Sequence, residues 1–368
     1  MHMCHIILQF LKKLFHYDTF KNFFTETDLL ISTQMVHSVF NTKPPSFSIK
    51  EAKDAIQHQF NFRTCSDLDE LYSDRDQNFF FRSNSKKYIL KIFNKAEDIS
   101  VINLQLDAIK YISKKNMNIL LPIPKSDIVK IFKDKEVFST IVYEYIDGYF
   151  FSEKQLFKQD YKKLGIFIGN ISKALSGFRG PGSERVFEWD IQHIDLINHR
   201  LKFIDSITNQ NIVRYFLNEY EKNVVPHTTK LRMAVIHNDC NEHNIIVNEK
   251  KAMGIIDFGD MLYSFQVLEP AVCMTYLALN KNDIKSVLCT FLKGYQSCFP
   301  LNECEIKCLI YMVCARLCVS VSMAAWRKSM FPENKYLTIS EKSAWLTLKY
   351  FKDENLNNWT DHLLQTRG

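Results

Sequence analysis

The sequence predicts an α+β fold of two unequal lobes, an antiparallel sheet lobe followed by a larger, mostly helical one. Three observations carry that prediction. Strand-like alternation is concentrated between residues 72 and 145, and helical periodicity dominates after residue 148. Between them lies the turn Ile146-Asp147-Gly148, placed as a hinge.

Composition narrows the function classes. The chain has 368 residues, 46% of them hydrophobic and 24% charged, as in an ordinary globular protein. That length suits two to three domains or one two-lobed enzyme. A net charge of +6 without a concentrated basic stripe argues against nucleic acid and is compatible with an anionic nucleotide. Ten cysteines without tight extracellular spacing point to a reducing compartment. No uninterrupted run approaches 18 apolar residues, so no transmembrane helix is expected. Residues 1–43 read as an extension, with Met35 as a possible second start and the domain proper beginning near Pro44-Pro45. The apolar Ile6-Ile7-Leu8 is too short for a secretory signal. Arginine is absent before Arg63, which weighs against a mitochondrial leader. The expected location is the cytoplasm, with mitochondria as the alternative.

The first lobe is expected over residues 44–147. Ser48 to Phe60 reads as a helix, with Ile49, Ala52, Ile56 and Phe60 on one face and Ser48 as N-cap. The run from Tyr72 to Phe93 reads as two strands joined by the polar turn Ser83–Lys87. In the second strand both faces are apolar except at Lys91, and a buried lysine needs an anionic partner such as a nucleotide phosphate. No glycine-rich loop precedes it. Ser73 to Asn78 stands in that place, with Arg75 available to cover phosphates. A helix over Ile99–Ile112 and strands over Ile128–Phe132 and Val137–Tyr145 complete the lobe.

The second lobe is expected over residues 148–368. Helical patterns cover Tyr161–Leu175, Ile191–Ile204, Asn211–Asn223, Glu269–Leu279, Ile284–Tyr295, Glu303–Ser322 and Ser340–Phe351. Gly177 to Gly182 punctuates them as a loop. Cys304, Cys308, Cys314 and Cys318 share a helix face at a spacing that suits core packing better than zinc knuckles.

The chemistry lies between Val235 and Met261. Two short β-rich runs around Asn248-Glu249-Lys250-Lys251 read as a hairpin. Pairing Val247 with Ala252 would set Asn244 opposite Ile255 and place Asp257 two residues further along, at the hairpin's open end. Asp239 enters the first strand, with His237 two residues before it. One carboxylate near a carboxamide and a second carboxylate is what phosphoryl transfer requires. Oxygen ligands must hold Mg²⁺ against phosphates, and a base must orient the attacking hydroxyl. Asp239 is the candidate base, and Asn244 and Asp257 are the candidate metal ligands.

These residues carry a family resemblance. His237-Asn238-Asp239, Asn244 and Ile256-Asp257-Phe258-Gly259-Asp260, together with the single-lysine strand Tyr88-Ile89-Leu90-Lys91-Ile92, resemble the aminoglycoside phosphotransferase family of small-molecule kinases. A closer resemblance is to its hydroxylysine kinase branch. It rests on Asp76-Gln77-Asn78-Phe79, Phe187-Glu188-Trp189-Asp190, Asp257 to Met261, Met323-Ala324-Ala325 and Pro332-Glu333-Asn334-Lys335.

The resemblance implies a protein-kinase-like fold and transfer of the γ-phosphate of GTP, or of ATP, to 5-hydroxy-L-lysine with Mg²⁺, within lysine degradation. It implies Lys91 as the phosphate contact, with Arg75, Asn78, Glu144 and Tyr145 as further nucleotide contacts. The helix after Lys91 lacks the usual glutamate, leaving it Asp107 or no partner. For a doubly aminated acceptor, Asp260, Glu242 and Glu269 are candidate ammonium ligands. Arg316 is a candidate for its carboxylate, or for an internal pair with Glu269. The alternatives are a kinase of the same fold for choline, homoserine or an aminoglycoside, and a catalytically silent nucleotide-binding module.

Overall fold

The computed structural model describes residues 38–334 and 340–367. The expectations about Ile6-Ile7-Leu8, Met35 and Lys335 lie outside the described residues. The fold is mixed α+β, with an antiparallel sheet lobe and a helical portion. Packing begins before Pro44, because Val39 and Phe40 already join the main core.

Helix α1 (Ile49–His58) starts at Ser48, whose side chain accepts from the Glu51 amide while Glu51 accepts from the Ser48 amide. Five strands follow in the order β1 (Ser66–Leu71), β2 (Gln77–Ser83), β3 (Lys86–Ile92), β5 (Glu136–Glu144), β4 (Val129–Lys133). Two-residue turns at Asn84-Ser85 and Asp134-Lys135, all four residues at positive φ, close β2–β3 and β4–β5. Strand β1 was not anticipated. Its Ser-Asp-Leu-Asp-Glu-Leu is polar and exposed, which suits an edge whose charges discourage pairing with another chain.

Alternation gives the sheet two different faces. Phe79, Phe81, Leu90, Ile92 and Val142 pack with Ala52, Ala55 and Ile56 of α1 in an outer core. The registers Asn78↔Lys91↔Ile141 and Phe80↔Ile89↔Tyr143 place the other face toward the helical lobe. Helix α2 (Ile99–Ser113), capped by Asp98, packs on that side.

After β5 the chain turns through Gly148, where φ is +153° and a Cβ would lie 2.5 Å from the Val247 carbonyl oxygen. Only glycine allows that approach. The next residues form β6 (Tyr149–Phe150), which pairs with Val247 and Ile246, so the hinge is stitched to the hairpin.

The helical lobe comprises α3 (Lys158–Leu175), α4 (Ile207–Asn223), α5 (Leu268–Leu277), α6 (Ile284–Cys298), α7 (Glu303–Met330), α8 (Glu341–Asp353) and α9 (Leu356–Leu364). Three helical expectations need correction. Residues 191–204 form two 3₁₀ segments rather than an α-helix, broken at His193. Helix α7 runs on past Ser322 to Met330. Helix α9 was missed because Asn355, Asn357 and Asn358 mask its periodicity, although its Trp359 is fully buried.

Helix α7 is long and apolar enough to cross a membrane, yet its most apolar stretch, of mean hydropathy 1.9, is 94% buried inside the fold. Arg316 interrupts the apolar run, so no uninterrupted stretch of 18 apolar residues occurs in it. The helix serves as the lobe's central core element. Cys308, Cys314 and Cys318 are buried free thiols along it.

Helices α3 and α6 meet backbone to backbone. A Cβ on Gly165 would stand 2.0 Å from the Phe291 carbonyl oxygen, and one on Gly294 would stand 2.1 Å from that of Lys162. Overpacking of this kind costs on the order of 3 kcal/mol. Gly165→Ala or Gly294→Ala is expected to lower unfolding free energy by about that amount, measured by urea denaturation. An unchanged midpoint would mean that the helices separate without penalty.

Candidate active site

Strand β7 (Met233–Ile236) pairs antiparallel with β10 (Leu262–Phe265), with Ile236 opposite Leu262. The loop leaving β7 and the segment entering β10 therefore emerge at the same end. Between them lies the expected hairpin, β8 (Ile245–Val247) and β9 (Met253–Ile255). Its register is one residue off the expected one, with Val247 opposite Met253. Asn248 explains the shift. Its amide donates to the Ala252 carbonyl at 3.0 Å, its side chain accepts from the Ala252 amide at 2.9 Å, and Lys251 adopts φ +63°. The turn is thus three residues long. Asn244 faces Ile256, and Asp257 follows one residue later rather than two.

The loop itself is held from below. Asn238 and Asp257 adopt φ +62° and +58°, a region that costs a non-glycine residue on the order of 1 kcal/mol. Fully buried Glu269 accepts from the His237 amide at 2.7 Å and the Asn238 amide at 3.3 Å. The His237 ring donates through Nε2 to the Ile256 carbonyl at 3.1 Å and accepts at Nδ1 from the Asp239 amide at 3.3 Å. Burial pushes the His237 pKa down, consistent with the neutral ring these two bonds require. His237 is a strut between the two loops.

Asn244 donates to the Asp239 carboxylate at 2.6 Å and to its carbonyl at 3.0 Å, and Asn241 donates to the other carboxylate oxygen at 2.8 Å. Burial, then the charge of Asp260, push the Asp239 pKa up to about 8 against the opposing pull of Arg316. Asp257 goes the other way. The Lys91 ammonium, 3.2 Å away, holds it at about 2. Two neighbouring carboxylates are thus divided into one suited to proton transfer and one that stays anionic. Because Asn244 commits its amide nitrogen to Asp239, its oxygen is left for a ligand.

Asn244 and Asp257 offer two hard oxygens. Among the described residues no cluster of three or more histidine, cysteine or acidic side chains forms a metal cage. The oxygens of Asn244 and Asp257 suit a hard divalent cation.

Lys91 has its partner, and it is not Asp107, which is exposed on α2. Buried Asp76 pairs with it at 2.9 Å, its other oxygen fixed by the Asn94 amide at 2.9 Å. Burial opposes the lysine's charge, but Asp257 and Asp76 outweigh it and raise its pKa. The signal was present in the sequence as the aspartate of Asp76-Gln77-Asn78-Phe79.

A model of the phosphotransferase enzyme family matches residues 68–295. The chain belongs to that family. It is a phosphotransferase with an alcohol group as acceptor. It is 26% identical to the hydroxylysine kinase of Mus musculus over 84% of this chain and 90% of the relative. It is 26% identical to that of Danio rerio over 88% and 98%. Among solved structures it resembles an amicoumacin kinase in complex with AMP-PNP and Ca²⁺ (TM-score 0.61, 15% identity, 84% of this chain and 99% of that one). It also resembles a microcompartment-associated aminopropanol kinase (TM-score 0.59, 16% identity, 82% and 94%). A third is the GDP complex of an aminoglycoside 2'-phosphotransferase mutant (TM-score 0.58, 14% identity, 86% and 100%).

Within this phosphotransferase the other expected residues are placed unevenly. Asn78 lies beside Lys91 in the sheet, and Tyr145 meets Phe80 edge-on at 5.2 Å on the same inner face. Glu144 is paired with Lys125. Arg75 is committed: it bridges Asp260 at 2.9 Å, lies against the rings of Phe40 and Phe187, and packs on Gly259. Asp260 reaches the electrostatic field of Asp239. Glu269 sits beneath the loop instead of in the cleft. Glu242 is surrounded by Tyr161, Cys273 and Lys281 and does not join the carboxylates around Asp239. Arg316 is not paired with Glu269. It donates to the carbonyls of Trp189 and Asn238 and stands 3.9 Å from Asp239. Sequence reasoning missed Arg185, which donates to the carbonyls of Gly259 at 2.7 Å and Met261 at 3.0 Å and pairs with buried Glu97.

Removing one partner of a buried pair leaves an uncompensated charge and costs about 3 kcal/mol. Asp76→Asn is expected to destabilise the protein by about that amount and to weaken nucleotide binding. In a double-mutant cycle with Lys91→Met, followed by urea unfolding, the two losses are expected to be strongly non-additive. Additive losses would show that the pair is not coupled.

Proposed function

We propose that the enzyme transfers the γ-phosphate of GTP to the hydroxyl of 5-hydroxy-L-lysine, giving 5-phosphohydroxylysine, as a step of lysine degradation in the cytoplasm. The observation that carries the phosphotransfer chemistry is the Asp239–Asn244–Asp257 cluster, in which the first carboxylate is raised and the last is held anionic. The acceptor is supported by the name shared by relatives that align over most of the chain. GTP as the donor is what the motif resemblance of the sequence implies.

In this reading Asp239 accepts a hydrogen bond from the acceptor hydroxyl and takes its proton as the oxygen attacks the terminal phosphorus and GDP leaves with the β–γ bridging oxygen. Asn244 and Asp257 would hold Mg²⁺, which would supply positive charge against the charge of the transferring phosphate. Lys91 is released in part from Asp257 toward the nucleotide phosphates, while Asp76 keeps it in place. Asn244 keeps the Asp239 carboxylate oriented throughout. The cluster Arg75–Asp260 holds the segment after Asp257 at the edge of the acceptor space.

The decisive assay is phosphate transfer from γ-labelled GTP, and separately from ATP, to 5-hydroxy-L-lysine with Mg²⁺. Asp239→Asn is expected to lower kcat by about 10²–10⁴-fold with nucleotide affinity retained. Asp239-dependent transfer to aminopropanol or choline but not to hydroxylysine would keep the chemistry and discard the acceptor. Nucleotide binding without transfer to any of them would discard the base assignment as well.

A further inference from the structure

Asp257 is held from two sides. Upstream is the hairpin, where the Ile256 amide donates to the Asn244 carbonyl at 3.0 Å. Downstream is the 3₁₀ turn Phe258–Asp260, and two arginines grip it. Arg75 takes the Asp260 carboxylate at 2.9 Å. Arg185 donates through Nη2 to the carbonyls of Gly259 at 2.7 Å and Met261 at 3.0 Å. The Asp257 side chain leaves the backbone immediately before this turn, so a shift of the turn re-aims its carboxylate.

Arg185 is itself tied to the sheet lobe. Its guanidinium lies 3.6 Å from the Glu97 carboxylate, with the two side chains 14% and 3% exposed. Burial lowers the Arg185 pKa, and Glu97 is the strongest charge opposing that effect. The loop that carries Arg185 presses on the start of α2, where a Cβ at Gly182 would stand 2.7 Å from the Ser100 carbonyl oxygen. The same loop reaches β10, the Ser183 carbonyl accepting from the Tyr263 amide at 2.7 Å. Glu97 closes the turn after β3, its amide donating to the Asn94 carbonyl at 3.0 Å. Asn94 in turn donates its amide to Asp76, the partner of Lys91, at 2.9 Å. One short turn, residues 94–97, therefore reaches both members of the Lys91–Asp257 contact. It reaches the lysine through Asp76 and the aspartate through Arg185. Stability alone is a poor reason for the Glu97–Arg185 pair. It is longer than a hydrogen bond, and Glu97 Oε2 and Arg185 Nε have no hydrogen-bond partner among the described residues. A buried pair with atoms left unpaired repays little of its desolvation.

We propose that Arg185 and Glu97 are positioning residues for the divalent cation. Arg185 aims the Asp257 carboxylate through the Gly259 and Met261 carbonyls, and Glu97 keeps that aim in register with Lys91. Both act through backbone and charge rather than by contact with the cation. This role depends on Asp257 being a metal ligand, as proposed above, and adds the residues that set its direction. Groups that orient a ligating carboxylate govern metal affinity.

The probe is Mn²⁺, titrated into the enzyme with saturating GDP or ADP and followed by loss of the free-ion electron paramagnetic resonance signal. Arg185→Met is expected to weaken Mn²⁺ binding about 10- to 100-fold. Glu97→Gln, which keeps the shape of the side chain, is expected to weaken it about 10-fold. The Mg²⁺ concentration for half-maximal turnover is expected to rise in step, with activity recovered at high Mg²⁺. Unchanged Mn²⁺ affinity in both variants, with only a lower urea midpoint, would overturn the role and leave a structural anchor. Glu97→Gln decides alone if Arg185→Met does not fold. Asp257→Asn separates the two levels of the proposal. Weakened Mn²⁺ binding in that variant alone sinks the positioning role and keeps the metal ligand. Unchanged binding in Asp257→Asn overturns the ligand assignment and the positioning role with it.

Discussion

The site depends on one buried ammonium. Lys91 comes from the sheet lobe, takes Asp76 from the loop beside it, and reaches Asp257 at the mouth of the catalytic hairpin. Without Asp76 the lysine would be a buried cation relying on a half-exposed carboxylate, and an uncompensated charge there is expensive. Without Lys91, Asp257 would lose the field that keeps it anionic. The same contact joins the two lobes across the cleft. The nucleotide reading therefore requires that Lys91 be shared, so that phosphate can replace Asp257 while Asp76 stays.

A second layer of charge pairing holds the backbone of the site in an unfavourable shape. Asn238 and Asp257 are non-glycine residues in the left-handed region, and neither would remain there unaided. Glu269 beneath one loop and the His237 ring between both supply the restraint. Arg185 and Arg75 fasten the Gly259–Met261 segment from the other side. A Cβ at Gly259 would lie 2.2 Å from the Arg75 guanidinium, so a larger residue there would push that side chain away from Asp260. Several residues that looked like acceptor ligands in sequence are engaged in this scaffolding.

That division explains what was legible beforehand. Asp239, Asn244 and Asp257 could be read because a hairpin brings them together locally, and short-range strand pairing is visible in periodicity. The lobes and most helices were legible for the same reason. The partner of Lys91 was sought on the following helix, whereas it is Asp76, the residue before β2, which the β2–β3 hairpin sets beside the lysine. Glu269 was read as an ammonium ligand and Arg316 as a carboxylate ligand or the partner of Glu269, but both reach backbone groups of the catalytic loop. The polar edge strand β1 and the asparagine-rich α9 failed for the opposite reason: tertiary packing overrides weak local preference.

The arginines along the helical lobe follow one physical rule with one exception. Arg316 and Arg327 lie on the same side of α7, eleven residues apart, and each has a carboxylate within reach, Asp239 and Asp74 respectively. Burial of their guanidinium groups is offset within the fold. Arg200 is equally buried, and only Glu188, at the limit of ion-pair distance, faces it. If folding alone had shaped this corner, an apolar side chain packed on Trp326 would be the more stable choice. The Arg200 guanidinium instead lies on the Trp326 ring, a contact that offsets part of the cost of burial.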